Sequence, residues 1–192
     1  SLTARSLDEV VARNVIINEK PDIIVNVLDA SNLERNLYLA AQLVELGRPV
    51  VVALNMMDIA ERMGVKIDLE KLGQQLGAVV VPLIGSKNIG TKDLLVVIAD
   101  ENKTQNIVNK VDYGTDVEPY VQELTDAINK TGIIDYPIRW LAVKLLENDS
   151  DVVAKVKAMD GMQNIINLAS KMRNDLKDKI DLDFYFAQCR HQ

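Results

Sequence analysis

One uninterrupted apolar run limits the folds open to this chain more than any other feature. The run Pro49-Val50-Val51-Val52-Ala53-Leu54 contains no polar side chain. A short apolar run without alternation is typical of a strand that is buried on both faces, as in a parallel sheet. Asn55 follows directly, and Asp58 comes three residues after it. The sequence therefore predicts a buried strand with an amide and a carboxylate at its carboxyl end.

Strand and helix signals alternate on both sides of this run. The predicted strands cover 22–29, 49–54 and 79–83, and the predicted helices cover 33–45, 69–76 and 94–98. Gly47 and Gly77 stand where the first two of these helices would end. Strands and helices that alternate at this spacing form right-handed βαβ units with parallel strands. We predict an α/β fold in which helices flank a parallel sheet.

The predicted strands end in residues that suit a binding site. These are Asp29, the segment 55–58 and the segment 84–86. Because ligands of open α/β sheets bind beyond the carboxyl ends of the strands, this edge of the sheet is the predicted site. A simpler interpretation applies to Asp29, which is also placed to cap the turn into the helix that begins near Leu33.

The second half of the chain carries helix signals only. A polar stretch, 103–114, is predicted to be a linker, and Thr115 with Glu118 has the spacing of a capping box for the next helix. Further helices are predicted at 134–146, 152–156 and 162–176. We expect an α/β domain over 1–102, the linker over 103–114 and a small all-helical domain over 115–192.

Composition excludes several classes of function. The chain has 22 basic and 28 acidic residues, and a net charge of −6 argues against a nucleic-acid surface. Cys189 is the only cysteine and His191 the only histidine, which excludes an internal disulfide and a zinc site of the Cys and His type within this chain. No apolar stretch is long enough to span a bilayer and no signal peptide opens the chain, so we expect this piece to be soluble.

The pair Asn55 and Asp58 matches the chemistry of a guanine base. The Asn amide can donate and accept, which suits the keto oxygen and N7 side of guanine. The Asp carboxylate can accept from the N1–H and the amino group of the same base, a donor pair that adenine lacks. The simpler alternative is that Asn55 closes the strand and Asp58 caps the next turn.

Several separated segments resemble one protein family. The segments 29–39, beginning Asp-Ala-Ser-Asn-Leu-Glu-Arg, and 51–58 resemble the cytoplasmic G domain of ferrous iron transport protein B. The segment 139–147, Arg-Trp-Leu-Ala-Val-Lys-Leu-Leu-Glu, is similar to the helical domain of that family. Residues 1–9 resemble the stretch just after its second switch, and the likeness continues to about residue 176.

This resemblance implies a function for the whole chain. It implies a P-loop GTPase-like sheet that is incomplete at the amino terminus, so that 1–102 is a partial G domain, followed by the helical domain. The family implies a GTP-binding and GTP-hydrolysing region at the cytoplasmic face of a bacterial or archaeal membrane. Its implied partners are GTP or GDP and the protein's own transmembrane ferrous iron channel, with a homo-oligomer as a further candidate and no nucleic acid.

The resemblance also implies roles for individual residues. Asn55 and Asp58 match the guanine-specificity motif, and Met56 would pack on the base by apolar contact. Gly85 and Ser86 fall in the loop that backs the guanine with backbone amides. That loop departs from the common GTPase pattern. When the loop is aligned with that pattern at Gly90, Ile84 stands at the position where other GTPases have Ser. We therefore expect weak guanine affinity or a loop that rearranges with nucleotide.

The motifs for phosphate chemistry do not occur in this sequence. There is no G-x-x-x-x-G-K-[ST] loop, and in the family that loop and the Mg²⁺ ligands would lie upstream of Ser1. We expect this chain alone to bind GTP poorly and to hydrolyse it negligibly, with the parent protein as the enzyme. Mg²⁺ is the implied metal, K⁺ is a candidate second ion, and residues 1–9 would form a mobile switch.

Two competing functions remain open at this point. One is a non-catalytic interaction module with a vestigial nucleotide site, which the unusual 84–86 loop favours. The other is a different GTPase of the same superfamily, such as a ribosome-assembly factor, against which the acidic balance speaks. Two side-chain groups could also hold a metal ion: the carboxylates Glu147, Asp149 and Asp151, for which capping and helix-dipole pairing are the simpler roles, and the pair Cys189 and His191.

Overall fold

The computed structural model describes residues 7–100, 111–133 and 135–189. In chain order the elements are α1 (Leu7–Glu19), β1 (Ile24–Asp29), a 3-10 turn (Ala30–Asn32), α2 (Leu33–Glu45), β2 (Val50–Asn55), α3 (Met57–Arg62), α4 (Leu69–Leu76), β3 (Val79–Pro82), a 3-10 turn (Gly85–Lys87), α5 (Thr91–Ala99), α6 (Gly114–Asn129), α7 (Ile138–Leu146), α8 (Ser150–Lys157), α9 (Gln163–Lys177) and α10 (Leu182–Cys189). They fall into two compact units, one within Val11–Val111 and one that includes Asp112–Arg190.

The first unit is built on a parallel sheet, as the apolar run predicted. The strand order is β1-β2-β3, and both strand pairs are parallel. The central strand β2 is buried from Val50 to Leu54, which explains why it carries no polar side chain. Val51 and Ala53 pack with Val81 and Leu83, and α5 contributes the partly buried Leu94 to the same core cluster. This confirms the predicted α/β class.

Helix boundaries in this unit follow the local signals in the sequence. Asp29 caps the 3-10 turn that leads into α2, because its carboxylate accepts from the Ser31 amide at 2.8 Å. The Asp68 carboxylate caps α4 by accepting from the Lys71 amide. Gly77 ends α4 in the left-handed conformation, which glycine adopts without steric cost. The simpler interpretation of Asp29 as a cap is therefore confirmed.

The second unit is helical and has a core of its own. The buried stripe of α6 consists of Val117, Val121, Leu124 and Ile128, and α7 is buried along its length from Trp140 to Leu146. The residues of this stripe follow one another at intervals of three or four positions, as expected for one face of a helix. Trp140, at 3% exposure, is a core residue. The family's helical domain is thus matched by an independently packed helical unit.

The predicted capping box at Thr115 is wrong. The helix begins at Gly114, and its amino-terminal cap is Tyr113, whose side chain makes no capping hydrogen bond. Two carboxylates accept hydrogen bonds from backbone amides at this end of the helix. Asp112 accepts from the Gly114 amide at 2.8 Å, and Glu118 accepts from the Tyr113 amide at 3.3 Å. The helix begins one residue before Thr115, and these two contacts satisfy backbone amides at its start that have no partner within the helix.

The contacts of Tyr113 explain why α10 forms although its sequence pattern did not predict it. The Tyr185 hydroxyl donates to the Tyr113 carbonyl oxygen at 2.9 Å. The rings of Tyr113 and Phe186 meet edge to face, and both residues are almost fully buried.

Among the described residues, no helix combines the length and the apolar character needed to cross a membrane.

Candidate functional site

The carboxyl edge of the sheet gathers the residues that the sequence singled out. Asn55 is the last residue of β2 and lies beside Asp29 in the register of the parallel pair. Asp58 lies in the first turn of α3, directly after that strand. The third strand ends next to them, since the Leu83 amide donates to the Leu54 carbonyl oxygen at 2.7 Å. The strand ends therefore meet at one edge, as the parallel arrangement requires.

A left-handed residue joins Asn55 to α3. Met56 has φ 61° and ψ 31°, a conformation that few residues other than glycine adopt. Its carbonyl oxygen still accepts from the amides of Ile59 and Ala60, so it serves as the amino-terminal cap of α3. The Met56 side chain is 40% exposed, which is high for a large apolar residue. The strand-to-helix turn thus presents an apolar side chain to solvent between Asn55 and Asp58.

The loop after β3, residues 84–89, is closed on itself. The amides of Ile84 and Ile89 each donate to the carbonyl oxygen of the other, at 3.1 and 3.3 Å. Gly90 ends the loop with φ +82°, and a Cβ atom there would lie 2.2 Å from the Pro82 carbonyl oxygen. No side chain fits at that distance, so the close return of the chain to β3 requires glycine.

The 84–89 loop is attached to Asn55. The Gly85 amide donates to Asn55 Oδ1 at 2.9 Å across 30 residues of sequence. A Cβ atom at Gly85 would lie 3.3 Å from the same oxygen, so a larger residue would press on this bond. The structure therefore uses the Asn55 oxygen within the protein and leaves Nδ2 as the atom that can donate to a ligand.

Asp58 forms an ion pair with a residue of the same loop. Lys87 Nζ lies 3.0 Å from Asp58 Oδ2, and the two side chains are 57% and 24% exposed. The hydrogen bond from Lys87 lowers the pKa of Asp58 below its usual value, and the charge of Arg62 acts in the same direction. Asp58 is therefore a carboxylate at neutral pH. The sequence reasoning did not identify Lys87.

The predicted base-backing residues are exposed at this edge. Gly85 and Ser86 lie in the short 3-10 turn of the loop, and both are exposed. Because the Gly85 amide already donates to Asn55, the next amide, that of Ser86, is the better candidate for a contact with a ligand. The edge thus combines an amide donor, a carboxylate, an apolar side chain and an exposed turn.

The alternative metal-binding residues have structural partners. Asp149 caps α8 by accepting from the Val152 amide, which is its predicted simpler role. Glu147 pairs with Lys144, and Asp151 pairs with Lys155. Within the described ranges there is no group of three or more His, Cys, Asp or Glu residues that could hold a metal ion.

Several predictions concern residues outside the described part of the chain. Residues 1–6 of the predicted switch, and most of the predicted linker, lie outside it. So does His191, the proposed companion of Cys189. The domain boundaries at 102 and 114 remain predictions.

Comparison with protein families matches almost the whole chain. A family model described as ferrous iron transport protein B matches residues 1–98. A second model, described as the FeoB cytosolic helical domain, matches residues 113–192. The two matches follow one another in the order of the two structural units.

Individual proteins give the same result. The curated Fe(2+) transporter FeoB of Escherichia coli strain K12 is 37% identical over 190 residues, which cover 97% of this chain and 23% of that protein. The cytosolic domain of L. pneumophila FeoB is 36% identical, with a TM-score of 0.78, over all of this chain and 72% of that one. A point mutant of S. thermophilus NFeoB, bound to GDP and AlF4−, is 29% identical, with a TM-score of 0.80, over all of this chain and 74% of that one. The chain thus spans about a quarter of the length of the curated relative.

Proposed function

The chain belongs to the ferrous iron transport protein B family, and from that premise we propose that its α/β unit recognises the guanine base of GTP and GDP. It would do so as part of the GTPase region at the cytoplasmic face of a ferrous iron transporter. The nucleotide-bound form of the S. thermophilus relative supports this proposal. The transported ion and the membrane channel belong to the proposed function of the whole protein.

The observation that carries the proposal is that Asn55 ends the central strand and Asp58 follows three residues later, in the first turn of α3. Asp58 is ionised and partly exposed, so its two oxygens can accept from the N1–H and the amino group of guanine. Asn55 Nδ2 can donate to an acceptor on the other side of the base. Met56 offers an exposed apolar side chain to the face of the ring.

Hydrolysis of GTP needs groups that this sequence does not contain. Phosphoryl transfer depends on a phosphate-binding loop and a bound Mg²⁺ ion, which position and neutralise the phosphates. The phosphate-binding loop, G-x-x-x-x-G-K-[ST], does not occur in this sequence. We therefore assign base recognition to this chain, and we assign phosphate chemistry, with Mg²⁺ and any K⁺, to other parts of the complete GTPase.

A change of base specificity tests the proposal. In the full-length protein, Asp58→Asn should weaken GDP binding by about 100-fold or more, because two hydrogen bonds to a charged acceptor are lost. The same variant should gain affinity for xanthosine diphosphate, whose C2 carbonyl accepts from the new amide. Titration calorimetry with both nucleotides measures the two effects.

Asp93→Asn is the matched control, because it removes one exposed carboxylate from the first turn of α5. It should leave both affinities within about twofold of wild type, as surface changes away from a site usually do. If Asp58→Asn binds GDP as tightly as wild type, Asp58 does not recognise the base and the proposal is wrong.

A non-catalytic interaction module is the second candidate. The observation in its favour is that the 84–89 loop already engages both Asn55 and Asp58. A vestigial site would keep these internal contacts and bind no nucleotide. Absence of GDP binding by the wild-type full-length protein at millimolar nucleotide would favour this candidate over the first.

A further inference from the structure

The two side chains assigned to base recognition share one internal partner, the 84–89 loop. The loop donates to Asn55 through the Gly85 amide and to Asp58 through the Lys87 ammonium group. The two contacts differ in kind. The contact from the Gly85 amide uses only the Asn55 oxygen and leaves Asn55 Nδ2 for a ligand. The contact from Lys87 places a positive charge on the Asp58 carboxylate, which is the group that would accept both hydrogen bonds from a guanine base.

The position of Lys87 follows from the fold of the loop. The Lys87 amide donates to the Ile84 carbonyl oxygen at 2.9 Å, inside a loop that the Ile84 and Ile89 pair closes. Gly90 fixes the loop to β3, and Gly85 fixes it to Asn55. Lys87 therefore extends from a backbone that is held at both ends. Little further backbone entropy is lost when its side chain contacts Asp58.

A guanine base and Lys87 need the same atoms. Guanine presents two donors side by side, so it requires both oxygens of the carboxylate, while Lys87 holds Oδ2 at 3.0 Å. We propose that Lys87 is an internal competitor for the guanine site, which the base displaces from Asp58 when it binds. This inference rests on the proposed function, because it assigns a role to Lys87 in the same site.

The proposed competition and a purely electrostatic role of Lys87 predict opposite changes in nucleotide affinity when Lys87 is removed. Removing a cation beside an anionic nucleotide should weaken binding if Lys87 acts only through its charge. Removing a competitor should strengthen binding instead. Since the pair is exposed, the gain is modest: the range measured for exposed ion pairs corresponds to roughly twofold to fivefold in affinity.

The competition also depends on the base. Hypoxanthine, the base of inosine diphosphate, keeps N1–H but lacks the 2-amino group. It needs only one carboxylate oxygen, so Lys87 can keep its place on Oδ2 while this base binds. Removal of Lys87 should therefore help GDP more than inosine diphosphate, and the ratio of the two affinities should increase.

The experiment compares Lys87→Met, Lys87→Arg and the control Lys92→Met in the full-length protein. Lys92 is an exposed lysine in the first turn of α5, so the control removes the same charge a few residues away. GDP and inosine diphosphate affinities are measured by titration calorimetry for each protein. Lys87→Met should bind GDP roughly twofold to fivefold more tightly with a smaller gain for inosine diphosphate. Lys87→Arg keeps a cation on Asp58 and should stay near wild type.

Three results would overturn the inference while the proposed function stands. They are weaker GDP binding by Lys87→Met, equal effects on the two nucleotides, and the same gain in Lys92→Met, each with GDP binding still lost in Asp58→Asn. Failure of the wild-type protein to bind GDP would overturn both proposals together. Adding Lys87→Met to Asp58→Asn gives a second check, because the lysine should have no further effect once the carboxylate is gone.

Discussion

Charged pairs occur in both units of the molecule, but they lie in opposite environments. In the helical unit, Lys144 is 2% exposed and lies 2.5 Å from Glu147, itself only 11% exposed. At the sheet edge, Lys87 and Asp58 are 57% and 24% exposed. A buried pair cannot lose one member without leaving a desolvated charge, whereas an exposed pair can separate into water at little cost. The difference suggests that the first pair is structural and that the second can exchange partners.

The pair formed by Arg139 and Glu118 is intermediate and belongs with the structural group. The guanidinium group donates to both carboxylate oxygens, at 2.6 and 3.0 Å, and it also lies 5.7 Å from the centre of the Tyr113 ring. Glu118 accepts from the Tyr113 amide as well. Several contacts that depend on one another fix this geometry. Lys87 and Asp58, by contrast, are joined by one hydrogen bond.

The buried pair should give the largest effect on stability. We expect Glu147→Gln to lower the free energy of unfolding by roughly 3 kcal/mol or more, because it leaves the buried Lys144 ammonium group without its carboxylate. The double variant with Lys144→Met and Glu147→Leu should cost much less, because it leaves no unpaired charge and apolar side chains of similar volume suit a buried position. Chemical denaturation of both variants measures the difference. Equal losses would show that the buried charge is not the cause.

The loop that carries Lys87 should be the next most sensitive feature. Gly90→Ala should lower the free energy of unfolding by roughly 1–3 kcal/mol, because φ is positive there and the Pro82 carbonyl oxygen is too close for a Cβ atom. The affinity for GDP should decrease as well, because the same loop contacts Asn55 and Asp58. Gly64→Ala is the matched control: φ is +77° there, but a Cβ atom would have nothing within 4 Å. The difference between the two variants isolates the clash. If the two variants lose equal stability, the closeness of the chain at Gly90 is not important.

The exposed pair should give the smallest effect, and it should appear as a change in pKa. Lys87 lowers the pKa of Asp58, so Lys87→Met should raise that pKa toward its usual value. A lowered pKa stabilises the native state above the pKa of the unfolded chain, and this contribution is lost as the pH falls through the native pKa. The difference in stability between wild type and Lys87→Met should therefore shrink in acid. A carbon-13 NMR titration of the Asp58 carboxyl group gives the pKa directly. An unchanged pKa would mean that the pair does not form in solution.

Local signals in the sequence were enough to predict most of the α/β unit. The helix predicted over 33–45 is α2 with the same bounds, and the helix predicted over 69–76 is α4, ended by Gly77. The strand β2 was predictable because its residues from Val50 to Leu54 are all buried and all apolar. In the helices the apolar residues recur at the helical period, and in the strand they are continuous, so both patterns can be read from the sequence.

Features that depend on distant contacts could not be predicted in the same way. In α10 the aromatic residues Phe184, Tyr185 and Phe186 are consecutive, which hides the helical period, and the helix is docked by contacts with Tyr113. At the site, Asn55 and Asp58 could be identified because they follow the buried strand. Lys87 could not, because it meets Asp58 across 29 residues of sequence, at a distance set by the register of the sheet.

A crystal structure of the full-length protein with GDP would test the assignment of Asp58 most directly. We predict N1 and the 2-amino nitrogen of the base within hydrogen-bond distance of the two Asp58 oxygens, Asn55 Nδ2 at the opposite side of the base, and Lys87 Nζ moved away from Oδ2. A GDP molecule bound with its base away from Asp58, while the ion pair between Lys87 and Asp58 stays intact, would contradict both the proposed recognition and the competition.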